Sequence, residues 1–303
     1  MILVTGGSGF IGRYLIKVLS CQGYDIVAVS RHIQNQNIDY PNVKVKNADI
    51  TNKEALNNLP SEIDSVIHLA AYCSTKETFD ENEKLLRVNV IGTSNVLNFC
   101  VERRINHIIY SSTISVYGPR QYKEIKETDS TYPISFYGMS KLLGEWYCNK
   151  IGIQYDITYC SLRFCAIYGF GEEPNRHALP LRFINQALAN NDINVFGDGN
   201  SARDYLYIKD AVNAIIRAYQ KKVCGIYNIG PGYAVKVRDL AKMVSIIFSE
   251  GKSKLIFETS KKEDLSETYL DISKAKNDLN FKPEYTIENG LKDYYHEILR
   301  KKR

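Results

Sequence analysis

Two stretches of this sequence carry residue types at spacings that could do chemistry together. The first is Tyr137-Gly138-Met139-Ser140-Lys141, which runs on into Leu142-Leu143-Gly144-Glu145-Trp146 and reads as the opening of a helix. Residues i and i+4 share a helix face, so a phenol and an ammonium here can act on one substrate. A phenol of pKa about 10 is a poor base at neutral pH; lowering it by about three units takes about 4 kcal/mol, roughly what one cation ~4 Å away supplies at intermediate dielectric. The spacing alone is weak. With 22 tyrosines about two such pairs arise by chance, and four others start at Tyr40, Tyr72, Tyr122 and Tyr205. Tyr40 precedes Pro41, Tyr72 and Tyr122 fall in polar connections, and Tyr205 is far from the second stretch; only Tyr137 opens a helix soon after a hydroxyl-rich strand end.

The second stretch is Met1-Ile2-Leu3-Val4-Thr5-Gly6-Gly7-Ser8-Gly9-Phe10-Ile11-Gly12. A short β-branched run reads as a buried strand, and the glycines after it allow a sharp turn into a helix. Gly6, Gly9 and Gly12 fall three apart, so the second can bring backbone N–H groups against a pyrophosphate and the third lets helix and strand pack closely. The spacing departs from GxGxxG, and its position right after the first strand is what gives it meaning as a dinucleotide site.

The elements that must position these groups follow in order. Arg13–Cys21 continues the first helix, and Asp25–Ser30 is the second strand, whose end meets the adenosine ribose in a dinucleotide fold. Ser30-Arg31 stands there without a carboxylate, and a guanidinium with a hydroxyl suits a 2′-phosphate, so the expectation is NADP(H), with NAD(H) as the alternative. Val43–Asn47 reads as a third strand leading to Asp49-Ile50, Lys53–Asn58 as a helix, and Ser65–Leu69 as a fourth strand. Past it, the small residues of Leu69-Ala70-Ala71 let a cofactor run close to the backbone. His68 lies within the apolar run and reads as structural. A long helix is expected over Asp80–Arg103; Asn89 within it reads as a ligand contact or, equally well, a satisfied core amide. The fifth strand, His107–Tyr110, runs into Ser111-Ser112-Thr113-Ile114-Ser115, hydroxyls suited to a substrate oxygen or to a hydrogen-bonded turn.

Composition limits the alternatives. A chain of 303 residues, 44% hydrophobic and 24% charged, is long enough for one large nucleotide domain and a smaller companion. The net charge of +5 is scattered apart from Arg300-Lys301-Lys302-Arg303, which reads as a solvated helix end and argues against nucleic acid. Seven cysteines without CxxC spacing read as reduced, mostly buried thiols, and the five histidines show no metal-ligand spacing, so no metal is expected. With no basic leader and no apolar run near twenty residues, the expectation is a cytoplasmic protein that does not touch a membrane.

Over nearly its whole length the chain resembles the extended short-chain dehydrogenases/reductases, the group of nucleotide-sugar epimerases, dehydratases and 4-keto-sugar reductases. The resemblance rests on Thr5–Gly12, His68-Leu69-Ala70-Ala71, Asn89–Thr93, Ser111-Ser112-Thr113 with Val116-Tyr117-Gly118, Tyr137 with Lys141, Leu162-Arg163-Phe164, Arg203-Asp204-Tyr205, Tyr227-Asn228-Ile229-Gly230 and Asp271–Ala275. It implies a doubly wound parallel sheet of Rossmann type on residues 1–168, with 203–231 returning to it, and a smaller C-terminal α+β substrate domain on 169–202 and 232–303. By that likeness Thr113 would hydrogen-bond the reacting sugar hydroxyl, Tyr137 would shuttle its proton, and Lys141 would hold the nicotinamide ribose. Gly6, Ser8, Gly9, Phe10, Ile11, Gly12, Arg31, Asp49, Ile50, Leu69, Ala70, Ala71 and Asn89 would complete the cofactor site. Arg203 would hold the diphosphate of a nucleoside-diphosphate sugar, His177 would reach the sugar as a second acid or hydroxyl contact, and loops at 169–199 and Lys261–Asp264 would choose base and sugar. The helices near Asp80–Arg103 and Tyr137–Lys150 resemble a four-helix homodimer interface.

Departures from the family pattern narrow the reaction. Ile114 and Ser115 stand where dehydratases carry acidic groups, and Ser115 also replaces the cysteine of fucose-type enzymes. Cys165-Ala166 replaces a frequent asparagine after Leu-Arg-Phe. The expectation is a nucleotide 4-keto-sugar reductase, with an NAD-dependent 4-epimerase as the alternative. A cofactor-sensing protein without turnover would require the loss of Thr113, Tyr137 or Lys141, and all three are present.

Overall fold

The computed structural model describes residues 1–33, 38–74, 76, 78–119, 123–171, 178–259 and 267–301. Strand β1 (Ile2–Thr5) is buried along its whole length because both faces of the sheet around it are covered. Its neighbours are β2 (Ile26–Ser30) and β4 (Ser65–His68), followed outward by β3 (Val43–Asn47) on one side and β5 (His107–Thr113), β7 (Thr158–Phe164) and β12 (Gly225–Ile229) on the other. All seven strands are parallel, in the order β12-β7-β5-β4-β1-β2-β3. The order reverses between β1 and β4, and ligands of such sheets bind at the carboxyl ends beside that reversal.

Helices cover both faces, as right-handed crossovers between parallel strands require. On one face α1 (Phe10–Cys21) packs with α7 (Ile208–Lys221), and Leu15, Ile16 and Leu19 join Ile215 in one apolar core. On the other, α2 (Lys53–Asn57), α4 (Thr93–Glu102) and α5 (Phe136–Tyr155) bury Leu56, Val96, Phe99, Cys148 and Ile151 in a second. The remaining elements gather smaller sheets. These are β13 (Val235–Lys236), β10 (Ala202–Arg203), β15 (Glu267–Leu270) and β6 (Glu124–Ile125) in one, with β8 (Ala166–Tyr168) paired to β11 (Tyr205–Tyr207) and β9 (Ile193–Phe196) to β14 (Leu255–Glu258). Helices α6 (Leu179–Leu188) and α10 (Ile287–Lys301) pack on α8 (Val237–Ser249), and α9 (Ser273–Leu279) packs on α7.

Two local expectations change. The long helix over Asp80–Arg103 is α3 (Phe79–Leu85), a π-helical segment Leu86–Gly92, and then α4. The wider turn sets Asn89 inward and brings Gly92 against Ile50, where a Cβ would sit 2.6 Å from the Ile50 Cδ1 methyl. The fifth strand does not end at Tyr110: Ser111, Ser112 and Thr113 remain in β5 because each has a register partner on β7.

All seven cysteines are free, but Cys21, Cys73 and Cys224 are exposed, so the expectation of burial holds for Cys100, Cys148, Cys160 and Cys165. Among the described residues, no helix is long and apolar enough to cross a membrane, and no His, Cys, Asp and Glu cluster could hold a metal.

Candidate active site

The loop from β1 to α1 is a cradle in which side chains have no room. Gly6 has φ +70, and a Cβ there would lie 2.7 Å from the Ala70 nitrogen; one on Gly12 would overlap the Gly6 carbonyl oxygen. Gly9, the N-cap of α1, has only that same oxygen beside it and brings no side-chain cap, and the first turn of α1 has no acidic residue. The leading amides of α1 therefore keep their affinity for an anion. Ser8 and Ile11 are half-buried at the cradle, while Phe10 is in the core.

Next to it, Thr5 Oγ1 bonds His68 Nδ1 at 2.7 Å and accepts from the Ala70 nitrogen at 3.2 Å, which shapes the turn of Leu69-Ala70-Ala71 leaving β4. His68 Nε2 meets Thr93 Oγ1 at 3.0 Å, and burial pushes the imidazole down to about 3, so it stays neutral and structural as expected. At the end of β2 the Ser30 hydroxyl is buried and has no hydrogen-bond partner among the described residues, while Arg31 is exposed. Asp49 Oδ1 accepts from the Thr51 nitrogen and Ile50 is buried against Gly92. A glycine cradle, an uncapped helix start, a small-residue path and an orphaned hydroxyl at the ribose end fit a dinucleotide. The Asn89 amide accepts from the Tyr72 nitrogen and donates to the Tyr72 carbonyl and the Ser140 hydroxyl.

The candidate reactive residues lie where β5 ends and α5 begins. Ser135 caps α5 by accepting from the Gly138 nitrogen, and a Cβ on Gly138 would lie 2.6 Å from the Ser115 carbonyl oxygen. The turn carrying Tyr137 is thus seated on the chain just past Thr113, and this close approach is what brings a residue of α5 to the end of β5. Thr113 Oγ1 accepts from the Ser115 nitrogen at 3.2 Å and lies 3.3 Å from the Ser115 hydroxyl. Lys141 is 2% exposed, its Nζ 4.4 Å over the Tyr110 ring, and burial pulls the ammonium down to about 8. No carboxylate of the described residues forms an ion pair with it.

Farther out, Arg203 of β10 is half-buried and its Nη1 donates to the Ala202 carbonyl. His177 and Lys261–Asp264 lie outside the described residues. Two features escaped the sequence reading. Phe196 is 55% exposed with the Arg182 guanidinium 5.0 Å from its ring centroid; its signal was an aromatic residue at a strand end. Glu145 and Arg163 form a buried ion pair with Nη2 to Oε2 at 2.6 Å; its signal was a charge inside each of two apolar runs.

The family model described as the NAD dependent epimerase/dehydratase family matches residues 2–230. A relative from Methanocaldococcus jannaschii, named a putative UDP-glucose 4-epimerase, is 32% identical over 296 residues, 96% of this chain and 96% of that protein. The crystal structure of Thermotoga maritima UDP-glucose 4-epimerase with UDP-glucose has a TM-score of 0.90 at 29% identity, covering 100% of this chain and 99% of that one. Bacillus cereus UDP-glucuronic acid 4-epimerase, in complex with UDP-glucuronic acid and NAD, has a TM-score of 0.86 at 29% identity over 99% of both chains.

Proposed function

The chain belongs to the NAD dependent epimerase/dehydratase family, and from that premise we propose that it is an NAD-dependent 4-epimerase of a UDP-linked hexose or hexose derivative. The observation that carries the reading is the turn of Tyr137 and Lys141 seated on the carbonyl beside Thr113, next to a cradle that fits a dinucleotide. Relatives named for 4-epimerisation, one of them in a structure that holds NAD, support an epimerase above a 4-keto reductase. The preference for NADP(H) drawn from Ser30-Arg31 finds no support among them, and the cofactor proposed here is NAD.

Residues 1–168 and 203–231 would hold the cofactor, and 169–202 with 232–303 the sugar nucleotide. The amides from Gly6 to Gly12, with Ser8, would bind the pyrophosphate; Ser30, Arg31, Asp49 and Ile50 would border the adenosine, and Leu69–Ala71 would let the cofactor pass. NAD, when bound, supplies the hydride acceptor and donor for the sugar carbon. Tyr137 Oη takes the proton of the C4 hydroxyl and returns it after the sugar has turned its other face, while Thr113 Oγ1 hydrogen-bonds the same oxygen. Lys141 holds a positive charge beside the phenol and lowers the cost of its ionisation. Arg203 binds the diphosphate as a forked cation, and Phe196 offers a ring for the base. With Ile114 and Ser115 following Thr113, this stretch carries no acid to abstract a second proton, which favours epimerisation above dehydration.

A homodimer forms in this reading through the groove between the Val90–Ser94 stretch and α5, a space of about 740 Å³ lined by Ile91, Leu143, Trp146 and Tyr147. Its exposed apolar residues, Trp146 at 60% and Ile91 at 53% among them, are what such an interface would cover.

The test is incubation of purified protein with UDP-glucose and with UDP-galactose, without added cofactor, followed by chromatography of the nucleotide sugars and mass spectrometry of what denaturation releases. Interconversion with released NAD is expected. Turnover only with NADPH and a 4-keto sugar would establish the reductase instead.

A further inference from the structure

Behind the site, three side chains from separate elements meet. Glu145 lies one turn beyond Lys141 on α5, and its carboxylate accepts from Arg163 Nε at 2.9 Å, from Arg163 Nη2 at 2.6 Å, and from the Ser112 hydroxyl. All three residues are buried. Ser112 of β5 and Arg163 of β7 are register partners, and the residue after Ser112 is Thr113. The guanidinium lies 4.6 Å over the Tyr117 ring, and the Tyr117 hydroxyl donates to Asn228 Oδ1 at 2.6 Å.

A buried ion pair is poor glue, because desolvating both charges offsets their attraction and an apolar pair of the same size often folds as well. Its placement here gives it another use. The groups whose charge or ring acts on Lys141 are Glu145 and Cys148 on α5, the Tyr110 ring on β5, His68 on β4 and Cys73 after β4, with Tyr137 one turn before it on α5 and Arg163 behind Glu145. His68 is neutral, and burial pushes the Cys148 thiol far up, so it stays protonated. Glu145 is the carboxylate of this set.

We propose that Glu145 is a positioning residue of the reaction: it ties the end of β5 that bears Thr113 to the face of α5 that bears Tyr137 and Lys141, and it keeps the buried Lys141 ammonium charged. The inference rests on the 4-epimerase reading for the reaction served, but its electrostatic half is measurable without substrate. Two variants test it, Glu145→Gln and the double apolar replacement Glu145→Leu with Arg163→Met, the second guarding against misfolding caused by an unpaired buried Arg163. The Lys141 midpoint is followed by NMR titration of lysine side chains in substrate-free protein, assigned with Lys141→Met, and kcat and KM for UDP-glucose are measured across pH.

Both variants are expected to lower the Lys141 midpoint by about half a pH unit or more, and to move the alkaline limb of the rate profile down with it. They are also expected to lower kcat about tenfold while KM changes less than about threefold. A double variant with an unchanged Lys141 midpoint and kcat within about twofold of the parent would overturn the proposal and leave the pair as a folding clamp. If the parent itself turns over no UDP-sugar, the function assigned above fails, and the Lys141 titration still decides this inference.

Discussion

Replacing His107 by phenylalanine should remove a defined part of the protein's acid sensitivity. His107 opens β5 at 1% exposure, beside the Tyr219 ring at 5.8 Å, and neither ring nitrogen has a hydrogen-bond partner among the described residues. Burial, with a further push from the Lys222 charge, lowers its pKa from 6.5 to about 4. The unfolded chain therefore binds a proton that the folded one refuses. Stability present above pH 6.5 is lost as the pH falls toward 4. Between about pH 7.5 and about pH 4.5 the unfolded state gains about 2 log units of proton binding, or about 2.5 kcal/mol after the small fraction bound by the folded state is subtracted. That is a large share of the roughly 5–15 kcal/mol that holds a typical domain together.

Other groups titrate in the same window. His68, pushed down to about 3, works in the same direction; Asp204, pushed up to about 7 by burial, works against it, since the folded state then holds the extra proton. Both persist in His107→Phe, so they cancel when the two proteins are compared. Urea unfolding at the two pH values should show the variant equal to or more stable than the parent at the higher pH, and losing about 2.5 kcal/mol less on acidification. Equal losses in the two proteins would refute the reasoning.

Three further outcomes follow from the site. Tyr137→Phe should abolish interconversion of UDP-sugars while leaving NAD affinity, read by calorimetry, within about threefold of the parent; an active variant would end the proposed proton transfer. Gly12→Ala sets a methyl group into the Gly6 carbonyl oxygen, so NAD binding should be lost and stability to urea should drop by about 1–3 kcal/mol, whereas intact binding would mean the cradle is not where the cofactor sits. Trp146→Glu should shift the protein to monomers in light scattering, and a parent that is already monomeric would remove the interface.

Much of this was legible in the sequence because the relevant geometry lies within single elements. Three glycines at a strand-to-helix turn and a Tyr–Lys pair one turn apart define their own local shapes, and short-range sterics enforce them wherever the element sits. The doubly wound sheet was implied by the family resemblance that these motifs carry, and the place of His68 inside an apolar run marked it as structural. The Asp80–Arg103 region looked like one helix because π and α turns share the same apolar pattern; only the inward pull of Asn89 and the contact of Gly92 with Ile50 separate them. The partners of Asn89 were equally a question of neighbours, since Tyr72 and Ser140 reach it from separate elements. The reductase and the epimerase share every reactive residue named here, so local spacing had no means of telling them apart. The meeting of Ser112, Glu145 and Arg163 shows the boundary most clearly. Each charge was visible alone, but their pairing depends on the register of β5 against β7 and on the burial of α5 over both, and those follow from how the whole core packs.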